Sequence, residues 1–135
     1  MNILFYEDST TFNTYVTKEL TKEEYNVFDM LTKVKAEKWL ENNTPDIAIL
    51  DIVEEDRFSK AKNNRAGFEI AELVKKKNKD IPIVFLTGYA KEPKILEEAK
   101  IYGPVEVFDK GKENPKELNR SVSYTHLTLP TILLV

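Results

Sequence analysis

Cysteine is absent from the 135-residue sequence, and histidine occurs only once, as His126. The absence of cysteine excludes disulfide bonds, thiolate metal sites and cysteine nucleophiles. A single histidine cannot form a histidine-rich metal site. Any metal chemistry must therefore use oxygen ligands, and the 23 Asp and Glu residues are their main source.

Long apolar runs and an excess of basic charge are also lacking. No segment approaches the roughly 20 apolar residues of a membrane-spanning helix, and the apolar run at residues 3–6 is too short for a signal peptide. The 20 basic and 23 acidic residues give a net charge of -3, which argues against direct nucleic-acid binding. The sequence predicts a soluble, cytoplasmic protein of one domain, without a membrane partner.

The apolar segments that are present alternate with amphipathic ones. The run "IAIL" at residues 47–50 is continuous, as expected for a parallel strand covered on both faces. The alternation predicts an α/β fold, a doubly wound five-stranded parallel sheet between two helical layers. The predicted strands are residues 2–6, 25–30, 46–50, 81–86 and 105–108. The predicted helices are residues 9–20, with Phe12 on the apolar face, 32–42, 67–77 and 92–101, and a last helix that starts at Asn114-Pro115.

Polar residues stand at the carboxyl ends of four predicted strands. Glu7 and Asp8 follow the first strand, Asp51 the third, Thr87 the fourth and Lys110 the fifth. Each alone has an ordinary reading, such as a helix cap, a turn residue or a surface lysine. Because sites in open α/β sheets form outside the carboxyl ends of the strands, we expect all five to converge.

Three converging carboxylates would repel one another. Two carboxylates about 5 Å apart repel by roughly 3 kcal/mol at an effective dielectric constant of 20. A hard cation with oxygen ligands, such as Mg²⁺, removes this penalty and prepares the site for a phosphoryl group. The residues predict a site where a carboxylate is the nucleophile and Lys110 and Thr87 contact phosphoryl oxygens.

In their order along the chain, these motifs resemble the receiver domain of two-component response regulators, the CheY-like family. The resemblance covers residues 1 to about 120 and rests on "ILFYEDS", "DIAILDI", "IPIVFLTGYA" and "VFDKG". It implies a flavodoxin-like (βα)5 fold and a signalling domain rather than an enzyme in the usual sense. The implied partners are a sensor histidine kinase or phosphotransfer protein and an effector that the sequence does not identify.

The resemblance also implies individual roles for the site residues. Asp51 would accept a phosphoryl group from the phosphohistidine of the partner. Asp8 and Asp51 would bind Mg²⁺ directly, Glu7 would bind it through water, and Val53 would offer its backbone carbonyl.

Two further residues would respond to the phosphoryl group. Thr87 would turn toward the phosphoryl oxygens, and Lys110 would pair first with Asp51 and then with its phosphate. Their movement would shift a partner-binding face formed by the fourth helix and the fifth strand of the predicted fold.

Three features depart from the family pattern, and one of them is Gly111, which follows Lys110 where the family usually has proline. Val107 stands where the family usually has a switch aromatic, and Phe108 cannot replace it because neighbouring strand residues point to opposite faces. Residues 52–65, "IVEEDRFSKAKNNR", are longer than an ordinary βα loop and place more acidic residues near Asp51. The segment is either a tolerated surface insertion or a lid or docking loop.

The last residues do not continue the pattern. After Arg120 the helical periodicity gives way to "VSYTHLTLPT", which resembles a translated sequencing-library adapter. We expect residues 1–121 to form the receiver domain, with a truncated last helix, and residues 122–135 to be a non-native tail. The alternative is a divergent C-terminal strand, and His126 has no assigned role.

Two other functions remain open at this point. A pseudo-receiver would use the same fold to bind proteins without phosphorylation, which Val107 and the acidic insertion allow. A haloacid-dehalogenase-type phosphatase also forms an aspartyl phosphate, but its Asp-x-Asp motif comes early and its acidic pair last. Here the acidic pair comes first, and the residues after Asp51 lack a second aspartate.

Overall fold

The computed structural model describes residues 1–55, 62–63, 65–88, 92–110, 116–120 and 122–123. In chain order the elements are β1 (Asn2–Tyr6), α1 (Thr10–Thr21), β2 (Asn26–Met30), α2 (Lys33–Asn42), β3 (Ile47–Asp51), β4 (Glu54–Glu55), β5 (Lys62–Asn63), α3 (Ala66–Lys77), β6 (Ile83–Thr87), α4 (Pro93–Ile101) and β7 (Glu106–Asp109). Residues 116–120 and 122–123 are also helical. The five predicted strands and the first four predicted helices are all present, with ends that differ from the predictions by at most two residues.

The main sheet has five parallel strands in the order β2-β1-β3-β6-β7. The chain passes from β1 to β2 on one side and then crosses back to β3 on the other. The direction of winding therefore reverses between β1 and β3, which is where doubly wound sheets open a crevice at their carboxyl edge. The predicted α/β architecture is confirmed.

The core lies on both faces of this sheet. All five residues of β3 are buried, because alternate side chains enter opposite clusters. The α2–α3 core cluster includes Leu40, Leu50, Phe68, Val74 and Phe85. The α1 core cluster includes Phe5, Val16, Leu20, Ile49 and Phe108. This arrangement explains why the third strand is apolar without alternation.

Local signals fix the helix ends. The Thr32 hydroxyl accepts a hydrogen bond from the Lys35 N–H at 3.2 Å and caps α2, as N-cap threonines do. Pro93 stands in the first turn of α4, where its missing N–H is not needed. At the end of α3 the Lys75 ammonium donates to the carbonyls of Lys79 and Ile81, at 2.9 and 2.8 Å. No helix in the described part of the chain is long and apolar enough to cross a membrane.

The segment between Asp51 and α3 is not only a loop. Strands β4 and β5 pair in antiparallel register, Glu54 with Asn63 and Glu55 with Lys62. The sequence predicts residues 52–65 as an insertion and does not predict this hairpin. Residues 56–61 and 64 lie outside the described residues, so the choice between a tolerated insertion and a docking loop stays open.

The boundary of the predicted tail falls at a described helical turn. Val122 is fully buried in the α1 core cluster, and the Ser123 hydroxyl lies 3.2 Å from the Tyr25 hydroxyl. The predicted helix start at Asn114-Pro115, His126 and all of residues 124–135 lie outside the described residues. The assignment of residues 122–135 as a non-native tail therefore stays a prediction.

Candidate functional site

Three carboxylates meet at the carboxyl edge of the sheet, at the point where the winding reverses. Glu7 and Asp8 directly follow β1, and Asp51 is the last residue of the neighbouring strand β3. Carboxylate oxygens of the three residues all lie within 4.8 Å of one another. Glu7 and Asp51 are 0% and 3% exposed, and Asp8 is half-buried. The predicted convergence of these acids is what the structure describes.

The backbone around Asp51 is held on both sides. The Ile52 N–H donates to the Leu86 carbonyl of β6, and the Gly67 N–H donates to the Ile52 carbonyl, both at 3.0 Å. A Cβ atom on Gly67 would lie only 2.3 Å from the Asp51 carbonyl oxygen. The first turn of α3 can therefore approach the end of β3 this closely only because residue 67 is glycine.

Glu7 is fixed by the backbone that surrounds it. Its N–H donates to the Met30 carbonyl at 3.1 Å, which joins it to the end of β2. The Ser9 N–H donates to its Oε1 at 3.0 Å, and the Asn13 side-chain amide donates to its carbonyl at 3.4 Å. Two of these contacts hold the backbone of Glu7, and the Ser9 N–H holds its side chain beside the start of α1.

Lys110 places a single ammonium among these acids. Its Nζ lies 3.1 and 3.0 Å from the two carboxylate oxygens of Glu7 and 3.4 Å from Oδ2 of Asp51. The same Nζ lies 5.3 Å from the centroid of the Phe12 ring. The Lys110 N–H donates to the Thr87 carbonyl at 3.0 Å, which ties the end of β7 to the end of β6.

Thr87 lies at the same edge because of the way β6 pairs with its two neighbouring strands. It is the last residue of β6 and is 1% exposed. Its predecessor Leu86 pairs with Asp51, and Thr87 itself pairs with Asp109, the residue before Lys110. The five residues singled out in the sequence thus share one edge, while their chemical roles stay predictions.

Burial and like charge oppose ionisation of the acids. Burial raises the pKa of Asp51 well above its usual 3.8, the neighbouring Glu7 and Asp8 raise it further, and Lys110 acts in the opposite direction. Burial likewise raises the pKa of Glu7 against the influence of Lys110. Burial lowers the pKa of Lys110, but Asp51 and Glu7 outweigh it and leave that pKa raised. Three acids thus lie beside one lysine, and burial opposes the ionisation of two of them.

The cluster has the ligand chemistry of a magnesium site. Although Lys110 lies 3.0 Å from Oε2 of Glu7, this buried oxygen accepts no hydrogen bond of good geometry from the described residues. Buried polar atoms normally have a partner, and Mg²⁺ takes carboxylate oxygens and water. The donor set of Glu7, Asp8 and Asp51 fits such an ion. The side chain of Val53 is buried two residues past Asp51, and a role for its carbonyl stays a prediction.

Val107 and Phe108 are consecutive residues of β7, and they lie on opposite faces of the sheet as expected. Val107 is half-buried and packs against the α2–α3 core cluster. Phe108 is fully buried in the α1 core cluster on the opposite face, with its ring centroid 6.5 Å from that of Phe12. The sequence predicts Phe12 only as part of an apolar helix face and does not predict its contact with Lys110. Its position four residues after Asp8 was the available signal.

Comparisons with known proteins agree with this architecture. A family model described as the response regulator receiver domain matches residues 3–122. A CheY-like receiver domain protein from Methanospirillum hungatei JF-1 is 22% identical, with a TM-score of 0.76 over 92% of this chain and 91% of that one. The non-phosphorylated HemR receiver domain from Leptospira biflexa is 27% identical, with a TM-score of 0.72 over 91% of both chains.

The chemotaxis response regulator CheY4 of Vibrio cholerae is also similar. It is 22% identical, with a TM-score of 0.71 over 91% of this chain and 96% of that one. No curated protein sequence matches the chain significantly.

Proposed function

The chain belongs to the response regulator receiver domain family, and from this premise we propose that Asp51 accepts a phosphoryl group in a phosphorelay. The observation that supports this proposal most strongly is the cluster of Glu7, Asp8 and Asp51, whose carboxylate oxygens lie within 4.8 Å of one another, beside the ammonium of Lys110. A buried acidic cluster of this kind is unfavourable for folding alone and suits a cation and a phosphoryl group.

Asp51 is the nucleophile in this proposal. One of its carboxylate oxygens forms a bond to the phosphorus of a phosphohistidine on a partner kinase or phosphotransfer protein. The bond between phosphorus and the imidazole nitrogen breaks, and its electron pair stays with the nitrogen, which takes a proton from water. The position of Asp51 at the end of β3, held by the Ile52 and Gly67 hydrogen bonds, presents it at the crevice of the sheet.

The proposed magnesium ligands are Asp8 and Asp51 directly, Glu7 through water and the backbone carbonyl of Val53. When bound, the ion would neutralise the carboxylates and stabilise negative charge on the phosphoryl oxygens. The Oε2 atom of Glu7 supports this assignment, because its ion pair with Lys110 at 3.0 Å lacks hydrogen-bond geometry and a water on the ion could donate a hydrogen bond to it.

Lys110 and Thr87 respond to the new charge in the proposal. The ammonium of Lys110, already 3.4 Å from Asp51, would pair with the phosphoryl oxygens, and the Thr87 hydroxyl would donate to them. Since the Lys110 N–H donates a hydrogen bond to the Thr87 carbonyl, movement of one of these residues perturbs the other. This coupling would carry the signal toward α4 and β7 and the effector bound there.

The decisive experiment is phosphorylation by a small donor. We expect acetyl phosphate and Mg²⁺ to add one phosphoryl group to the intact chain, measured by mass spectrometry, and Asp51→Asn to abolish the addition. Asp80→Asn, at an exposed position, is the matched control and should label normally. Undiminished labelling of the Asp51 variant would refute the assignment of the nucleophile.

The pseudo-receiver alternative makes the opposite prediction. Such a domain would not be labelled by acetyl phosphate or by any phosphohistidine donor, while it would still bind its partner. Val107 at the switch position is the observation that keeps this alternative in view. Membership of the receiver family gives no support to a haloacid-dehalogenase-type phosphatase.

A further inference from the structure

An aromatic ring flanks the lysine of the site. Phe12 lies in the first turn of α1 and is only half-buried. Its ring centroid lies 5.3 Å from Nζ of Lys110, a distance at which an ammonium is attracted to the negative face of a ring. Nothing assigned to the site so far uses this contact.

The position of the ring matters because the Lys110 ammonium has two kinds of partner, the carboxylates of Glu7 and Asp51 and the ring of Phe12. Its ammonium lies 3.0 to 3.4 Å from oxygens of Glu7 and Asp51, and its side chain is still 22% exposed. Arrival of a phosphoryl group requires the ammonium to exchange some of these contacts for phosphoryl oxygens. The attraction to a ring face does not depend on one hydrogen-bond direction, so it persists while those contacts are exchanged.

The Phe12 ring packs against a second aromatic ring. It packs against Phe108 at a tilt of 53°, with centroids 6.5 Å apart, and Phe108 is fully buried two residues before Lys110. The α1 helix and the β7 strand are thus joined by an aromatic pair at the place where Lys110 leaves the strand. A ring held in this way can restrain a long, flexible side chain.

We propose that Phe12 is a positioning residue that keeps the Lys110 ammonium beside Asp51 for phosphoryl transfer. This inference rests on the proposed function of Asp51 and Lys110. Phe12 does not contact the reacting atoms in the proposal and acts only through the lysine. The competing explanations are that Phe12 only fills space against Phe108, or that it contacts a protein partner.

The first test measures the contact without any phosphorylation. Protons on the carbons next to Nζ should be shifted upfield by the ring current of Phe12 in the NMR spectrum of the wild-type chain. Phe12→Leu should remove the shift, Phe12→Tyr should keep it, and Phe28→Leu should leave it unchanged. Phe28 is a suitable control because its ring contacts Trp39, with centroids 5.0 Å apart. An unshifted signal in the wild-type chain would overturn the proposal.

The second test measures coupling between the two side chains. We expect Phe12→Leu to lower the maximal rate of labelling by acetyl phosphate about fivefold, the size expected for one cation–π contact. Phe12→Tyr should label like the wild type. In a Lys110→Met background, Phe12→Leu should change the residual rate little, because the lysine through which it acts is gone.

The outcomes separate this inference from the function on which it rests. An equal loss from Phe12→Leu with and without Lys110, or a loss in Phe12→Tyr as large as in Phe12→Leu, would overturn the positioning role while labelling of Asp51 stands. Acetyl phosphate is the probe because it is a small molecule, so a contact between Phe12 and a protein partner cannot affect the rate of labelling. An unchanged rate in Phe12→Leu would therefore also overturn the positioning role. Absence of labelling in the wild-type chain would instead refute the proposed function, and the NMR result would still decide whether the contact exists.

Discussion

Two groups of charged side chains in this molecule have the same chemistry and very different exposure to solvent. In the surface cluster, Lys33 lies 2.7 Å from Glu37 and 2.8 Å from Glu69 and links α2 to α3, and the two carboxylate side chains are 37% and 40% exposed. In the edge cluster, Lys110 lies beside Glu7 and Asp51, whose side chains are 0% and 4% exposed, and Asp8 adds a third acid.

The difference lies in what each group does to ionisation. The hydrogen bond from Lys33 to Glu37, and to a smaller extent the one to Glu69, raises the pKa of that lysine. Its charged form is therefore favoured. In the edge cluster, burial raises the pKa of Asp51 well above its usual value, so the charged form is opposed. A buried cluster that resists its own charge contributes little to stability and points to a ligand instead.

The sharpest contrast is expected from removing each lysine. Lys110→Met should lower the rate of labelling by acetyl phosphate about 100-fold or more, the effect of losing one charged contact to a transferring group. Lys33→Met should leave the rate unchanged, because its ion pairs are with Glu37 and Glu69, neither of which belongs to the edge cluster. Mass spectrometry over time measures both rates, and a similar loss in the two variants would erase the distinction between the clusters.

The edge cluster also depends on a close backbone approach between the first turn of α3 and the end of β3. Gly67→Ala would place a Cβ 2.3 Å from the Asp51 carbonyl oxygen and should lower the free energy of unfolding by about 3 kcal/mol. Gly88→Ala is the matched control, since a Cβ there meets nothing within 4 Å. Urea denaturation measures both variants, and equal stabilities would show that α3 can move away from β3.

Charge removal should have opposite effects in the two clusters. Without divalent ions at neutral pH, Asp51→Asn should raise the free energy of unfolding by about 2 kcal/mol, because it relieves repulsion among buried carboxylates. Glu69→Gln should slightly lower it, because Lys33 loses a charged partner. Denaturation in the presence of a chelator measures the two changes.

The gain from Asp51→Asn should depend on pH. Because the folded-state pKa of Asp51 is raised above the ordinary value of 3.8, its ionised form destabilises the fold. That cost is absent below 3.8 and grows as the pH rises through the folded-state pKa. The advantage of the Asn variant should therefore vanish in acid, and an advantage that grew in acid would contradict the assignment.

The smallest effect is expected in the surface cluster. Lys33→Met should lower the free energy of unfolding by less than about 1 kcal/mol, because its carboxylate partners are more than one third exposed and are screened by water and salt. The pKa of Lys33 is raised above 10.5, so the contribution is present below that pH and is lost at more alkaline pH. A larger loss that salt did not reduce would make this cluster more than a surface ion pair.

The sequence was sufficient to predict the sheet and the residues at its carboxyl edge. The run before Asp51 is apolar at every position, which requires cover on both faces, and parallel strands bring their ends together. The β4–β5 hairpin was not predictable in the same way, because "EE" and "KN" carry no apolar alternation. The contact between Phe12 and Lys110 joins residues 98 positions apart, so only the tertiary fold brings them together.

The three carboxylates at the carboxyl edge should bind a divalent cation, and calorimetric titration with Mg²⁺ tests this most directly. We predict saturable binding to the wild-type chain, loss of that binding in Asp8→Asn, and unchanged binding in Glu69→Gln of the surface cluster. Absence of saturable heat in the wild-type chain, or an identical isotherm in Asp8→Asn, would contradict the account.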